Sequence, residues 1–150
     1  MLRDDINSAL KEAMKSGQAR RVSTLRLINA GILARETSGP ERLSLSDAGI
    51  VDVMQKMVKQ RHESLDIYQK AGRNELADQE REEIAIISTY LPKQMSDLEA
   101  ASAISTLIKE IGAETLKDMG RTMAALKQRF AGRMDFGKAG AQVKKLLGGG

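Results

Sequence analysis

The basic side chains near the C-terminal end are the residues best suited, by type and spacing, to bind a ligand. Residues 117–150 contain eight lysines and arginines but only two acids, Asp118 and Asp135, so this segment carries +6 while residues 1–116 sum to −2. The eight are Lys117, Arg121, Lys127, Arg129, Arg133, Lys138, Lys144 and Lys145. Such a concentration of cations suits a polyanion such as RNA, because each neutralised phosphate releases counterions. The alternative is a solvated helix face that binds no ligand.

Helical spacing groups some of these cations, and a second basic cluster lies near the N-terminus. Lys138 and Lys145 are one heptad apart and share a helix face. The start of the helix that follows Asp135 offers free amides and the positive end of the helix dipole, both favourable to phosphate. A capping carboxylate from Asp135 would, however, already occupy those amides. Arg21 and Arg26, in the first turns of the predicted second helix, are the further candidates for RNA contact.

No group of residues in the sequence matches a pattern for catalysis or metal binding. The chain has no cysteine, which excludes thiol chemistry and zinc–thiolate sites, and its single histidine, His62, excludes multi-histidine metal sites. The glycines within 132–140 do not fit a phosphate-binding loop. The acidic run 78–83, which includes Glu80 and Glu83, is expected to be hydrated. We therefore predict no catalytic residue, no metal and no cofactor.

Length and composition indicate an ordinary globular protein. The 150 residues are 41% apolar and 29% charged, which is typical of soluble folded chains. No segment approaches the roughly 20 apolar residues needed to cross a bilayer. Acids at positions 4 and 5 do not fit a secretory signal peptide, so we predict no membrane association and a cytoplasmic location. Aromatic residues make up only 3%, too few for a base-stacking surface, which restricts any RNA binding to charge and shape.

Apolar residues recur at intervals of three and four along nearly the whole chain, which predicts helices and no strand. Four long helices are expected, ending near residues 16, 37, 71 and 90. Three shorter ones are expected to follow, beginning near residue 96, near 115 or 118, and near 135. The stripes assigned to the inward faces include Met14, Leu33, Leu76, Leu116 and Leu146.

The boundary between two domains is placed after residue 94. Pro92 cannot continue a helix, because it lacks an amide hydrogen and its ring clashes with the preceding turn. Ser96 and Glu99 have the spacing of a capping box that starts a new helix. The predicted fold is therefore all-α, with a four-helix N-terminal domain over 1–94 followed by a small three-helix C-terminal bundle over 95–150.

Several segments together resemble the YqeY family of small bacterial proteins. They are RVSTLRL at 21–27, QRHES at 60–64, AGRNELA at 71–77, YLPKQMS at 90–96 and KDMGRTM at 117–123. The resemblance covers essentially the whole chain, and five motifs in register are more specific than any one of them.

The resemblance extends to the C-terminal portion of the GatB subunit of the tRNA-dependent amidotransferase. That enzyme converts misacylated Asp-tRNA(Asn) or Glu-tRNA(Gln) to the correct amide with ammonia from glutamine, and the similar portion is a helical segment with a three-helix tail that touches the tRNA body. Its catalytic cradle has no counterpart here, so the resemblance implies tRNA recognition without catalysis. It also implies RNA contacts from the basic members of 117–121 and 132–138.

Three hypotheses follow, in order of preference. The first is a non-catalytic tRNA-binding accessory protein, acting alone or beside an amidotransferase or aminoacyl-tRNA synthetase. Its RNA contacts would come from the eight C-terminal cations together with Arg21 and Arg26. The second is a protein-interaction module that docks on such a partner through its helical tail, with Met119 and Met123 near the contact. The third is a free-standing amidotransferase or another enzyme. A glutamine-dependent carbon–nitrogen ligase activity would be inferred from the resemblance alone.

Overall fold

The chain is helical throughout residues 1–148, which is the part that this computed structural model describes. It forms seven α-helices there: α1 (Leu2–Lys15), α2 (Ala19–Glu36), α3 (Asp47–Lys70), α4 (Asn74–Ser88), α5 (Asp97–Ile111), α6 (Met119–Arg129) and α7 (Phe136–Gly148). A short 3-10 helix, Leu116–Asp118, leads into α6. No strand occurs in this range, so the all-helical class is confirmed. Residues 149 and 150 of the predicted tail lie outside the described part.

Local capping residues fix where several of these helices begin and end. The Ser46 side chain accepts a hydrogen bond from the Gly49 amide at the start of α3. Ser96 and Glu99 form the predicted capping box at the start of α5. Gly112 ends α5 in a left-handed conformation (φ 65°), which glycine adopts without a steric penalty. Short-range sequence signals of this kind therefore define these helix boundaries.

The chain divides into two compact units, and the first spans Met1–Leu91. Its core is formed by side chains from four helices, chiefly Ile6, Leu25, Ile28, Ile32, Ile50, Met54 and Ile87, each no more than 1% exposed. At its edge, the nearly buried carboxylate of Glu36 accepts hydrogen bonds from the Arg3 guanidinium (2.5 Å) and the Leu45 amide (2.8 Å). This one side chain therefore ties the end of α2 to α1 and to the connection that precedes α3.

The second unit spans Pro92–Gly150 and contains α5, α6 and α7. Its separate core includes Ile104, Leu107, Leu126, Met134, Ala139, Val143 and Leu147. The helices α6 and α7 pack closely at Gly140, where an added Cβ atom would lie 3.7 Å from the Met123 methyl carbon. The Arg133 carbonyl accepts a hydrogen bond from the Met95 amide (2.9 Å), which joins the entry of α5 to the turn before α7. We call this unit the tail.

Some apolar residues that the helical pattern assigns to inward stripes lie at the surface instead. They are Met14, Leu33, Leu76, Leu116 and Leu146, which are between 40% and 52% exposed. The prediction is wrong for these residues because the pattern marks a wide apolar stripe on each helix, whereas the neighbouring helices cover only part of that stripe. The surface therefore holds apolar positions that the periodicity does not distinguish from core.

Candidate nucleic-acid interface

The ten basic residues predicted to contact RNA fall into two groups according to what their side chains bind. Four arginines, Arg21, Arg121, Arg129 and Arg133, hydrogen-bond to other parts of the protein. Arg26 and the five lysines (Lys117, Lys127, Lys138, Lys144 and Lys145) are exposed and have no side-chain partner within residues 1–148. The two groups therefore have different physical roles.

Arg121 holds the end of one helix against the start of another. From α6 it donates hydrogen bonds to the carbonyl oxygens of Ile111 (2.7 Å) and Gly112 (3.2 Å) at the end of α5. It also pairs with the Asp118 carboxylate (3.1 Å). The last carbonyls of a helix lack intrahelical donors, so the guanidinium supplies the donors that α5 needs. Arg121 therefore stabilises the tail and is not a free cation.

Asp118 is the second member of this junction. Its carboxylate accepts hydrogen bonds from the backbone amides of Glu114 (2.8 Å) and Thr115 (3.1 Å), and it pairs with Arg121. These contacts favour the charged form and lower the pKa of Asp118 to about 2, the backbone amide of Glu114 contributing most. The carboxylate therefore stabilises the turn from α5 to α6 only while it is ionised.

We expect the contribution of Asp118 to stability to be lost in acid. Because folding lowers its pKa, the contribution is fully present above the ordinary value of 3.8 and declines as the pH falls through about 2. The D118N variant should therefore be less stable than the parent at pH 6, and the difference should shrink as the pH falls from 4 to 2. Urea denaturation at several pH values measures it. A difference that stays constant with pH would contradict this assignment.

The other bound arginines also make structural contacts. Arg129 at the end of α6 pairs with Glu110 of α5. Arg133 donates to the Lys93 carbonyl oxygen (3.1 Å) and so holds the segment before α5. In the first unit, the half-buried Arg21 donates to the Tyr90 hydroxyl (2.7 Å). Each of these arginines thus has a partner inside its own unit, which reduces its availability to an external phosphate.

The five lysines lie on the 3-10 helix, α6 and α7 of the tail, and we call them the lysine surface. Met123 contacts Gly140 where α6 meets α7, and Lys127 follows Met123 by one helical turn, on the same side of α6. On α7 the buried line is Ala139, Val143 and Leu147. Lys138 and Lys145 share a face nearly opposite that line, whereas Lys144 lies about 100° around the helix from Lys145, so the exposed charge of α7 covers two of its sides.

The position of Lys117 relative to α7 follows from the packing of the preceding residue, Leu116. The Leu116 side chain lies 3.4 Å from where a Cβ atom on Gly148 would stand, so the 3-10 helix packs against the last turn of α7. Gly148 lies about one turn beyond Lys144 and Lys145. The turn that carries Lys117 is therefore next to the end of α7 that carries those two lysines. No carboxylate within residues 1–148 pairs with any of the five.

The first amides of α7 are already occupied. The Asp135 carboxylate accepts hydrogen bonds from the backbone amides of Gly137 (2.9 Å) and Lys138 (3.3 Å). The predicted cap by Asp135 therefore forms, and these two amides are not free to bind phosphate. What the tail presents to an anion is side-chain charge.

A buried charged cluster between α3 and α4 was not expected from the sequence. Arg61 pairs with Glu83 at 3.0 Å, with side chains only 14% and 8% exposed, and it also donates to the Met57 carbonyl oxygen. Glu80 has one buried carboxylate oxygen without a partner in the described range, and burial together with the charge of Glu83 raises the pKa of Glu80. The expectation that the acidic run 78–83 is hydrated is thus wrong for Glu83. Arg61 and Glu83 are 22 residues apart, and no local pattern connects them.

Residues 1–148 show neither a metal site nor a membrane-spanning helix. No group of three or more His, Asp or Glu side chains in that range is arranged to hold a metal ion. None of the helices described there is long and apolar enough to cross a membrane. His62, the single histidine, is exposed on α3. Among the described residues, the lysine surface of the tail is therefore the feature with the clearest capacity to bind a ligand.

Comparison with known proteins relates the whole chain to one family. The family model described as Yqey-like protein matches residues 3–147. "Altered inheritance of mitochondria protein 41, mitochondrial" of Lachancea thermotolerans is 28% identical over 109 residues, covering 71% of this chain and 58% of that protein. The protein of the same name in Candida glabrata is 30% identical over 129 residues, covering 85% of this chain and 67% of that protein. An uncharacterized protein of Schizosaccharomyces pombe is 30% identical over 94 residues, covering 62% of this chain and 74% of that protein.

These relatives are fungal, so the description of the family as bacterial is too narrow. The chain spans 58% of the length of the Lachancea thermotolerans relative, so part of that protein has no counterpart here. Two of the names place their proteins in mitochondria. Because the family model covers almost every residue and a relative with 30% identity is matched over most of its length, the chain belongs to the YqeY family.

Proposed function

We propose that this chain is a non-catalytic accessory protein that binds tRNA through the lysine surface of its tail. The observation that carries the proposal is the set of five exposed lysines on the 3-10 helix, α6 and α7, none paired with a carboxylate in the described range. The resemblance of the tail to the tRNA-contacting part of GatB supports tRNA as the polyanion. An amidotransferase or an aminoacyl-tRNA synthetase is the protein expected beside the bound tRNA.

In this proposal the two parts of the chain act as domains, with a four-helix N-terminal domain over 1–94 and a three-helix C-terminal domain over 95–150, which takes up nearly all of the tail. The tail supplies the cations, and the N-terminal domain supplies further surface for a protein partner. We retain the cytoplasmic location predicted from the sequence. The mitochondrial names belong to the fungal relatives, and tRNA is present in both compartments.

The chemistry of the lysine side chain determines what kind of binding to expect. An ammonium group is a flexible point charge, which neutralises a phosphate without reading a base. With aromatic residues at 3% of the chain, stacking on bases contributes little. Binding should therefore depend on the shape and phosphate density of the RNA and should weaken steeply with salt.

A salt titration of single variants tests the proposal. We expect K144Q to reduce the slope of log affinity for total tRNA against log salt by roughly 0.7 to 0.9, the loss of one phosphate contact. The matched control is K109Q, which removes an exposed lysine of α5 in the same tail but outside the lysine surface. Electrophoretic mobility shifts at several salt concentrations measure both slopes. Equal slopes for K144Q and K109Q, or no binding of tRNA by the parent at low salt, would refute the proposal.

The alternative is that the tail docks on a protein partner through its methionines. Met119 and Met123 are only half-buried, but their methyl groups lie within 4.0 Å of the Cβ position of Gly140. These contacts are inside the tail, which leaves less of each methionine for a partner. Recovery of partners from lysate before and after ribonuclease treatment separates the two hypotheses. Partners that persist would favour docking, and partners that disappear would favour tRNA.

A further inference from the structure

The outward face of α2 is apolar where a solvent-facing helix normally carries charge. The first turn of α2 exposes Ala19 and Arg20, and Arg20 is paired with Glu82 of α4. Beyond that turn the exposed residues are Ser23, Arg26, Leu27, Ala30, Leu33 and Ala34. Arg26 is the single charge among them, and Leu27 and Leu33 are 43% and 49% exposed. The opposite face of α2 is also apolar, with Leu25, Ile28 and Ile32 in the core. An exposed apolar patch with polar residues at its rim is typical of an interaction site.

The apolar face continues onto α1. A groove of about 410 Å³ is lined by Met14, Gly17, Ala19, Val22, Ser23 and Arg26, and Met14 is 52% exposed. The hydrogen bond from Asn29 to Asn7 (3.0 Å) shows which side of α1 borders α2. Lys11 is one turn from Asn7 on that side, and Lys15 is one turn further. Asp4 lies one turn before Asn7 on the same side. The end of the apolar surface near Met14 is therefore bordered by cations, and the start of α1 carries an acid.

From this combination we propose that α2 and the adjoining edge of α1 form a docking surface for an amphipathic helix of a partner protein. The apolar stripe of the partner helix would cover Leu27, Leu33 and Met14. Acidic residues along its flank would meet Arg26, Lys11 and Lys15, none of which has a side-chain partner in the described range. This surface lies in the unit Met1–Leu91, and it shares no residue with the lysine surface.

Charge and side-chain size select this occupant over a second copy of the chain. The exposed residues of α2 include no carboxylate, and the neighbouring Glu82 is already paired with Arg20. Pairing two such faces would therefore bring the Arg26 side chains together without a carboxylate to compensate them. Ala30 and Ala34 on the same face are small, which allows the backbone of another helix to approach closely. RNA is a poor match, because phosphates gain nothing from contact with leucine or methionine.

Binding of synthetic peptides to the full-length protein tests the proposal. The probe is an 18-residue helical peptide with leucines at positions i, i+3, i+4 and i+7 and glutamates on both flanks. One control peptide replaces the glutamates by lysines, and another has the composition of the probe in scrambled order. By fluorescence anisotropy, we expect the probe to bind at least tenfold more tightly than either control.

Variants of the protein locate the binding surface. We expect L33K to weaken binding of the probe at least tenfold, whereas L98K, at an 85% exposed leucine of α5, leaves it unchanged. R26E, at an exposed residue, should weaken binding of the acidic probe and strengthen binding of the basic control. It keeps the test valid if L33K fails to fold. Equal affinity for all three peptides, or equal effects of L33K and L98K, would overturn the proposal. A dimer in sedimentation equilibrium that R26E or L33K dissociates would also overturn it, because the face would then bind a second copy. Loss of tRNA binding in R26E, with binding of the probe unchanged, would overturn it as well, because the face would then bind RNA.

Discussion

Replacing Arg61 by methionine is expected to lower the free energy of unfolding by about 3 to 5 kcal/mol, because it leaves the Glu83 carboxylate buried without its partner. Glu83 is 8% exposed on its side chain, and its remaining contact is a 3.4 Å hydrogen bond from Gln79. The adjacent Glu80 adds a second carboxylate to the same region, and the Arg61 charge favours the ionised form of Glu80 as well. Removing the Arg61 charge therefore takes a favourable interaction from both Glu83 and Glu80. Urea denaturation followed by circular dichroism measures the change.

A double variant and a surface pair provide the controls. R61M combined with E83M should recover most of the lost stability, because packed apolar side chains replace a buried ion pair at little cost. R81A removes a cation whose pair with Asp78 is 47% and 67% exposed, and it should change stability by less than about 0.5 kcal/mol. If R61M and the double variant were equally unstable, the loss would come from packing and not from the unpaired charge.

Reversing Lys127, Lys138, Lys144 and Lys145 to glutamate together is expected to lower the affinity for tRNA at least about 100-fold at low salt. This prediction rests on the proposal that the lysine surface binds tRNA. The four substitutions remove four cations of the lysine surface and place carboxylates where phosphates would lie. Each side chain is exposed and has no partner in the described range, so thermal stability should change little. Filter binding with total tRNA measures the loss.

The matched control separates position from total charge. Reversing Lys11, Lys15, Lys70 and Lys109 to glutamate also takes the formal net charge from +4 to −4, since each substitution subtracts two charges. These four lysines are exposed but lie outside the lysine surface. We expect the control to lose less than tenfold in affinity. Equal losses in both variants would mean that binding follows net charge alone and would exclude a defined interface.

The local features of the fold could be predicted because their causes are close in sequence. The capping box of Ser96 and Glu99 spans three residues, and its two hydrogen bonds form as expected. The end of α5 at Gly112 follows from the conformational freedom of glycine. Which apolar residues stay exposed, such as Leu33, depends on neighbouring helices that the spacing of apolar residues does not locate.

The roles of the cations could be predicted only where their partners are close in sequence. The pair of Asp118 and Arg121 is three residues apart on successive turns, a spacing that favours contact. The partner of Arg129 is 19 residues away and that of Arg133 is 40 residues away, and only the packed tail brings them together. Counting charges in the sequence therefore assigns the arginines and lysines of the tail the same role. In the structure the arginines bind other parts of the protein, whereas the lysines are exposed to solvent.

This division between bound arginines and free lysines has a consequence for how the chain can change over time. Arg121, Arg129 and Arg133 hold the three helices of the tail in place through contacts within it. The exposed ammonium groups contribute no such contacts in the described range. Surface lysines can therefore be gained or lost one at a time in related chains, and the strength of anion attraction can drift gradually, while every intermediate sequence still folds.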